Sequence, residues 1–229
     1  MAELEMDLDP IALMHKRLDS QLLNPVTAAG IAGIAGVDSV GMTTEGEQFR
    51  PARLVMASVG VPFNWRLPVT EEGLEAVMSN PPAKVTFIDP RRDDNCLDLQ
   101  RGNGMEEALQ KIRPVKSMEL ATRIPNDIRQ LKTAYKMGVN AVELDCRDYT
   151  CAESKAQRLE ALEAISGVAR VAQKYEIRVT ATGGLDAGSI KNLMELEIVD
   201  TFSIGRALLG KAIYVGLENA LRDYFFLIK

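Results

Sequence analysis

Two stretches near the C-terminus decide the fold: Arg178-Val-Thr-Ala-Thr-Gly-Gly-Leu185 and Thr201-Phe-Ser-Ile-Gly-Arg-Ala207. The first is a β-favouring run that ends in a glycine pair. The second is a short apolar run that passes through Ser-Ile-Gly into a long helical pattern. Glycine lets a backbone approach a ligand closely. The N–H groups that open a helix have no partner within it and face an anion. Two such turns in succession, closing a chain of this length, are how the last units of a (β/α)8 TIM barrel build a phosphate site. The expected phosphate-binding residues are Gly183, Gly184, Ser203, Gly205 and Arg206.

The rest of the chain repeats the same alternation. Strands are expected at 4–8, 39–42, 63–67, 84–88, 116–121, 141–144, 178–181 and 201–204. Helices are expected at 25–35, 52–58, 70–78, 105–112, 126–137, 154–175, 189–195 and 207–226. Asn24 before Pro25 reads as an N-cap with proline in the first turn, and Gly36 as the stop. Thr70 caps the helix that carries Glu71 and Glu72 in its first turn. Eight strand-helix units with short connections imply a parallel sheet with helical crossovers, and the count favours closure into a barrel. The 229 residues form one expected domain, 1–229, with no linker or low-complexity tract.

Composition narrows the function. Net charge is −5 and no Lys/Arg block occurs, so nucleic acid and anionic membrane are not expected partners. No apolar run is long enough to span a bilayer. The N-terminus is acidic, unlike a signal or transit peptide. Three cysteines, Cys96, Cys146 and Cys151, make no disulfide framework and favour a reducing cytoplasm. Their spacing is not that of a zinc site, and the sole histidine, His15, lies far away in sequence. No cofactor or metal is expected. Asp7 and Asp9 alternate with Met6 and Leu8, so both are expected on one face of the first strand. Facing the barrel interior, they would suit a metal or an amine; facing solvent, they carry no function.

Several segments resemble the pyridoxine 5′-phosphate synthase family: Asn24-Pro-Val-Thr-Ala-Ala29, Ala35-Gly-Val-Asp38, Val69-Thr-Glu-Glu72, Ala141-Val-Glu-Leu144 and the tail from Ile204 to Ala220. The likeness covers nearly the whole chain. It implies a (β/α)8 barrel, a homo-oligomer, and condensation of 1-deoxyxylulose 5-phosphate with 3-amino-2-oxopropyl phosphate. The family's proton-transfer positions are changed here. Thr43 stands where the family has a histidine after the second strand, and Glu45 where it has an arginine. Arg66, in Asn64-Trp65-Arg66, stands where the family has a glutamate. Gly183 replaces the histidine of a Gly-His-Gly turn, Asp145 a histidine after the sixth strand, Pro10 the histidine after Asp9, and Arg206 a histidine after the eighth strand. Arginine does not release a proton near pH 7, and threonine needs a separate base.

Three readings follow. The first is a divergent enzyme that performs carbonyl chemistry (condensation, isomerisation or dehydration) on a small phosphorylated metabolite. Glu143 is then the expected acid/base, with Arg66 and Asp145 orienting the substrate and Thr43, Asn64 and Asp9 binding it. The second is the orthodox synthase with relocated catalytic groups. The third is a barrel that binds a phosphorylated ligand or a partner without catalysis. Glu143 and Arg66 are expected to pair across the barrel interior, since neither charge is tolerable alone there. Asp89-Pro-Arg-Arg-Asp-Asp94 reads as a solvated charged turn for one of its two arginines. Arg147 and Asp148 read either as catalytic-rim groups or as surface loop charge.

Overall fold

The computed structural model describes residues 1–18, 23–44, 49–101, 104–115 and 117–229. Eight strands run β1 (Glu3–Asp7), β2 (Ser39–Thr43), β3 (Phe63–Pro68), β4 (Lys84–Ile88), β5 (Glu119–Ile124), β6 (Ala141–Asp145), β7 (Arg178–Thr182) and β8 (Thr201–Ile204). Every pairing is parallel, and β8 returns to β1 with Glu3 opposite Thr201 and Met6 opposite Ile204, so the barrel closes. Helices α1 (Asp9–Leu18), α2 (Pro25–Ala35), α3 (Phe49–Ser58), α4 (Glu71–Ser79), α5 (Met105–Ile112), α6 (Ile128–Lys136), α7 (Arg147–Thr150), α8 (Lys155–Lys174), α9 (Ala187–Met194), α10 (Arg206–Val215) and α11 (Leu217–Ile228) complete it. Among the described residues no helix is long and apolar enough to cross a membrane.

Local chemistry sets the helix boundaries. Asn24 accepts the Val26 N–H at 2.9 Å, and Thr70 accepts that of Gly73 at 3.1 Å. Ser154 and Gln157 cap α8 reciprocally. Each bond satisfies a donor that the helix leaves open.

Strand alternation sorts the side chains into two environments. Leu4, Met6, Val40, Phe63, Trp65, Leu67, Val85, Phe87, Val142, Leu144, Val179 and Phe202 belong to one buried apolar cluster with the helices. Trp65 packs edge-on against Phe49 of α3, with ring centres 5.9 Å apart, and donates its indole N–H to Thr44 at 2.7 Å. The alternate positions hold Glu5, Asn64, Arg66, Thr86, Glu143 and Ser203, all buried and bonded to one another across the barrel. The main hydrophobic core is therefore the layer between sheet and helices, while the barrel interior is polar.

Four elements differ from the sequence reading. The first strand ends at Asp7, and Asp9 opens α1, a helix the sequence reading had not assigned. A proline at the second position of a helix costs no hydrogen bond, so Pro10 marks a start. The fifth strand is Glu119–Ile124 rather than 116–121, which brings Arg123 into the sheet; Lys116 itself lies outside the described residues. The single closing helix expected at 207–226 is two helices, broken at Gly216 with φ +83. The one-turn α7 after β6 was also not anticipated. Glu45 lies outside the described residues.

Candidate functional site

The site is built on the Arg66 guanidinium, which is fully buried at mid-barrel. Its Nε lies 3.0 and 3.2 Å from the two carboxylate oxygens of Glu143. Its Nη1 is 3.5 Å from Asp7 Oδ1. Its Nη2 donates to Glu5 Oε1 and, at 2.9 Å, to Ser203 Oγ. The pairing of Arg66 with Glu143 expected from the sequence is present. A second guanidinium, Arg123, holds Glu143 Oε2 through Nε at 3.1 Å and Nη2 at 2.8 Å. Asn64 Nδ2 bridges Glu5 at 2.9 Å and Glu143 at 3.0 Å, while its carbonyl oxygen accepts from Thr86 at 2.8 Å.

Gly41 on β2 makes this arrangement possible. A methyl group there would sit 2.5 Å from Arg66 Nη1 and 2.8 Å from Glu5 Oε1. Both atoms are held by ion pairs, so neither moves freely.

Charge sets Glu143 and Asp7 apart. Burial alone would raise the Glu143 carboxyl, but Arg66 and Arg123 more than offset this and hold it well below the usual carboxylate range. Burial likewise opposes the charge on Arg66, and Glu143, Glu5 and Asp7 outweigh it. Glu143 thus stays anionic at neutral pH, is 0% exposed, and has both oxygens occupied. Glu143 lies in the layer below the cavity, with its carboxylate bonded by Arg66, Arg123 and Asn64. Asp7 behaves differently. Burial and the adjacent Asp9 push it up from 3.8 to about 7, against the pull of Arg66. Its side chain keeps 21% of its surface exposed.

Above this layer, at the C-terminal ends of the strands, lies a cavity of about 160 Å³. Of the residues expected from sequence, Asp9, Asp145, Gly183, Gly184, Ser203, Gly205 and Arg206 line it. Glu143, Arg66, Asn64 and Thr43 do not. Glu143, Arg66 and Asn64 form the layer beneath. Thr43 donates its N–H and hydroxyl to Asp9 at 2.6 and 2.5 Å, so it orients that carboxylate. Ser203 reaches the cavity, yet its hydroxyl is committed to Glu5 at 2.8 Å and to Arg66.

The glycine turn is shaped for close approach. Gly183 and Gly184 have φ of +89 and +71, left-handed values that glycine adopts without steric cost. A Cβ at Gly183 would meet Asp145 Oδ1 at 2.1 Å. Asp145 itself is held by Arg147, whose Nε is 2.7 Å away and whose backbone N–H bonds it at 3.0 Å. The acid on β6 therefore fills the space a side chain at position 183 would need. Arg206 opens α10 beside this turn, with Nη2 3.7 Å from the Cβ position of Gly184. It makes no ion pair among the described residues.

The profile of the family described as pyridoxal phosphate biosynthesis protein PdxJ matches residues 4–229. The chain belongs to that family. Among its relatives is the pyridoxine 5′-phosphate synthase of Geotalea daltonii, 26% identical over 238 residues, covering 100% of this chain and 99% of the relative. The synthase of Geobacter sulfurreducens is 24% identical over 238 residues, with the same coverage. In fold, the chain resembles a tryptophan synthase α-subunit mutant from Pyrococcus furiosus (TM-score 0.65, 11% identity, 99% of this chain and 97% of that one). It also resembles phosphoribosylanthranilate isomerase from Thermotoga maritima (TM-score 0.62, 10% identity, 100% and 98%). At such identities the likeness establishes the barrel alone.

Sequence reasoning missed some of the cavity lining. Asn95 enters from the loop after β4 with φ +54. Its neighbours Arg91 and Arg92 pair with Asp89 and Asp94, each at 2.8 Å, which fits the solvated charged turn. The Asn95 backbone has no sequence signature beyond asparagine's tolerance of that region. Asp7 had been noted only as one of a pair with Asp9, and its proximity to Arg66 was invisible without the barrel.

Replacing Arg66 with Met should cost about 3–5 kcal/mol, because it strands buried carboxylates, and should move the Glu143 pKa upward. The double change with Glu143→Gln should cost less than the sum of the singles, with a coupling of about 0.5–3 kcal/mol in a urea-denaturation cycle. Strict additivity would show that the two groups do not interact. Separately, Gly41→Ala should destabilise by about 1–3 kcal/mol, the usual cost of overpacking. A neutral Gly41→Ala would mean that the guanidinium is not held where it lies.

Proposed function

We propose that this chain is a divergent PdxJ-family enzyme that binds a small phosphorylated metabolite and performs carbonyl chemistry on it, rather than orthodox pyridoxine phosphate synthesis. The observation that carries the reading is the mouth of the barrel. Two left-handed glycines, the start of α10 at Gly205 and Arg206, which makes no ion pair among the described residues, converge on one polar cavity. Backbone N–H groups at a helix start together with a free guanidinium suit a phosphate group. Gly183, Gly184, Gly205 and Arg206 would hold the phosphate, with Ser203 forming the floor. Asp145 and Asp9 would orient the remainder of the ligand. Arg66 and Glu143 would act from below as a fixed electrostatic platform. A homo-oligomer and a cytoplasmic location belong to the same proposal.

The departure from the orthodox reaction rests on residue chemistry. The positions at which the resemblance places histidines and a glutamate hold Thr43, Gly183, Asp145 and Arg66. One other reading has an observation behind it. Arg66 fills the barrel interior, which is compatible with a barrel that binds a phosphorylated ligand without turning it over.

Two measurements test these readings. Arg206→Ala should weaken binding of inorganic phosphate by about 1.5–3 kcal/mol, the range for a charged hydrogen bond; unchanged affinity in calorimetry would remove Arg206 from the site. Purified protein given both synthase substrates should form pyridoxine phosphate far below about 1 per second, within the ordinary enzymatic range. Turnover at that rate would restore the orthodox function.

A further inference from the structure

Five carboxylates meet at the barrel mouth and interior, and the contacts assign four of them to fixed partners. Glu5 is bonded by Asn64, Arg66 and Ser203. Glu143 is bonded by Arg66, Arg123 and Asn64. Asp9 receives the N–H and hydroxyl of Thr43, and Asp145 is chelated by Arg147. Asp7 is the exception. Among the described residues, its Oδ1 takes the Asp9 N–H at 3.1 Å and a long 3.5 Å contact from Arg66. Its Oδ2 lies 2.9 Å from the Cβ position of Gly205, the residue that opens α10. It lines the cavity.

Charge balance points the same way. The contiguous interior cluster is Glu5, Asp7 and Glu143 against Arg66 and Arg123. Fully ionised, it carries one excess negative charge in a low-dielectric interior, where an uncompensated charge is costly. Lys84 also acts on Glu143 and Asp9 on Asp7, so the excess negative charge falls at the Asp7–Asp9 end of the cluster, where a proton relieves it. Asp7 is the member with both a loose hydrogen-bond set and a face on the cavity.

We propose that Asp7 is the proton-carrying residue of this site, and that it takes up a proton from solvent when an anion occupies the neighbouring glycine turn. This rests on the anion site proposed above. An anion beside Gly205 adds negative charge next to Asp7 and disfavours its carboxylate. The protonated Asp7 then stands against the bound ligand as an acid. In the reaction its O–H bond breaks as a new O–H bond forms at a carbonyl oxygen of the ligand, and Asp7 is left as a carboxylate. Solvent restores the proton when the next ligand binds. Arg66 is the positioning residue, holding Asp7 from below. The charged groups that face Asp7 are Glu5 on β1, Asp9 on α1 and Arg66 on β3, with Arg123, Asp145, Arg147 and Arg206 around the shared cavity. Burial and Asp9 already bring Asp7 up to about 7, so a modest added field suffices to tip it.

Sulfate is the suitable probe, because it does not titrate near neutrality. Its binding should be measured near pH 7.5 by calorimetry in buffers of different ionisation enthalpy, which reports protons exchanged. The expected result is net proton uptake by the wild-type protein and sulfate binding without uptake by Asp7→Asn. Carboxyl ¹³C NMR on the wild type, which needs no variant, should show an aspartate with a midpoint near 7 that sulfate raises. Binding without proton uptake in the wild type, or uptake retained in Asp7→Asn, overturns the assignment of Asp7 and leaves the anion site standing. No sulfate binding by the wild-type protein overturns the anion site and this coupling together.

Discussion

The interior of this barrel depends on one guanidinium. Arg66 cannot discharge and has no route to water, so its position requires carboxylates around it. Glu5, Asp7 and Glu143 supply them from β1 and β6, two strands that reach across the lumen rather than along the sheet. Their geometry in turn requires Gly41, because any side chain there would enter the guanidinium's space. Asn64, Thr86 and Ser203 satisfy the remaining hydrogen-bonding capacity. Removing any charged member leaves others unpaired in a medium that screens little, so the layer is conditional on all its parts.

That layer divides the barrel into two levels. Beneath the mouth, Glu143 is held well below the usual carboxylate range by Arg66 and Arg123, and both Glu143 and Glu5 have their oxygens bonded by neighbouring side chains. At the mouth, the glycine turns, Arg206 and Asp7 meet an open cavity. The same physical rule acts at both levels: a carboxylate between two guanidiniums stays charged, as Glu143 does, while one held by a single distant guanidinium and facing another acid rises toward neutrality, as Asp7 does.

The chain shares its family with pyridoxine 5′-phosphate synthases, and that membership rests on a match over residues 4–229. Two of the barrel's charged side chains occupy space that glycines leave open. Asp145 takes the room that glycine at 183 leaves, and Arg66 takes the room that glycine at 41 leaves. Neither side chain would fit its place with a bulkier neighbour.

Reading the strands from sequence succeeds where local patterns carry the signal. The alternation of apolar runs and helical periods, the caps at Asn24, Thr70 and Ser154, and the glycine turns after β7 and β8 all act over a few residues, so the barrel and the glycine turns at its mouth were legible. The pairing of Arg66 with Glu143 was legible too, because two buried opposite charges demand each other. The errors arose where local signals compete. Asp7-Leu8-Asp9 alternates like a strand although Pro10 begins a helix, and the 207–226 pattern continues through Gly216, where only the backbone angle ends the helix. What the chain alone determined was therefore the fold and the pairing of Arg66 with Glu143. Which acid stays fixed and which one faces the cavity was decided by tertiary structure, since hydrogen-bond saturation and distance to a second guanidinium depend on strands far apart in sequence.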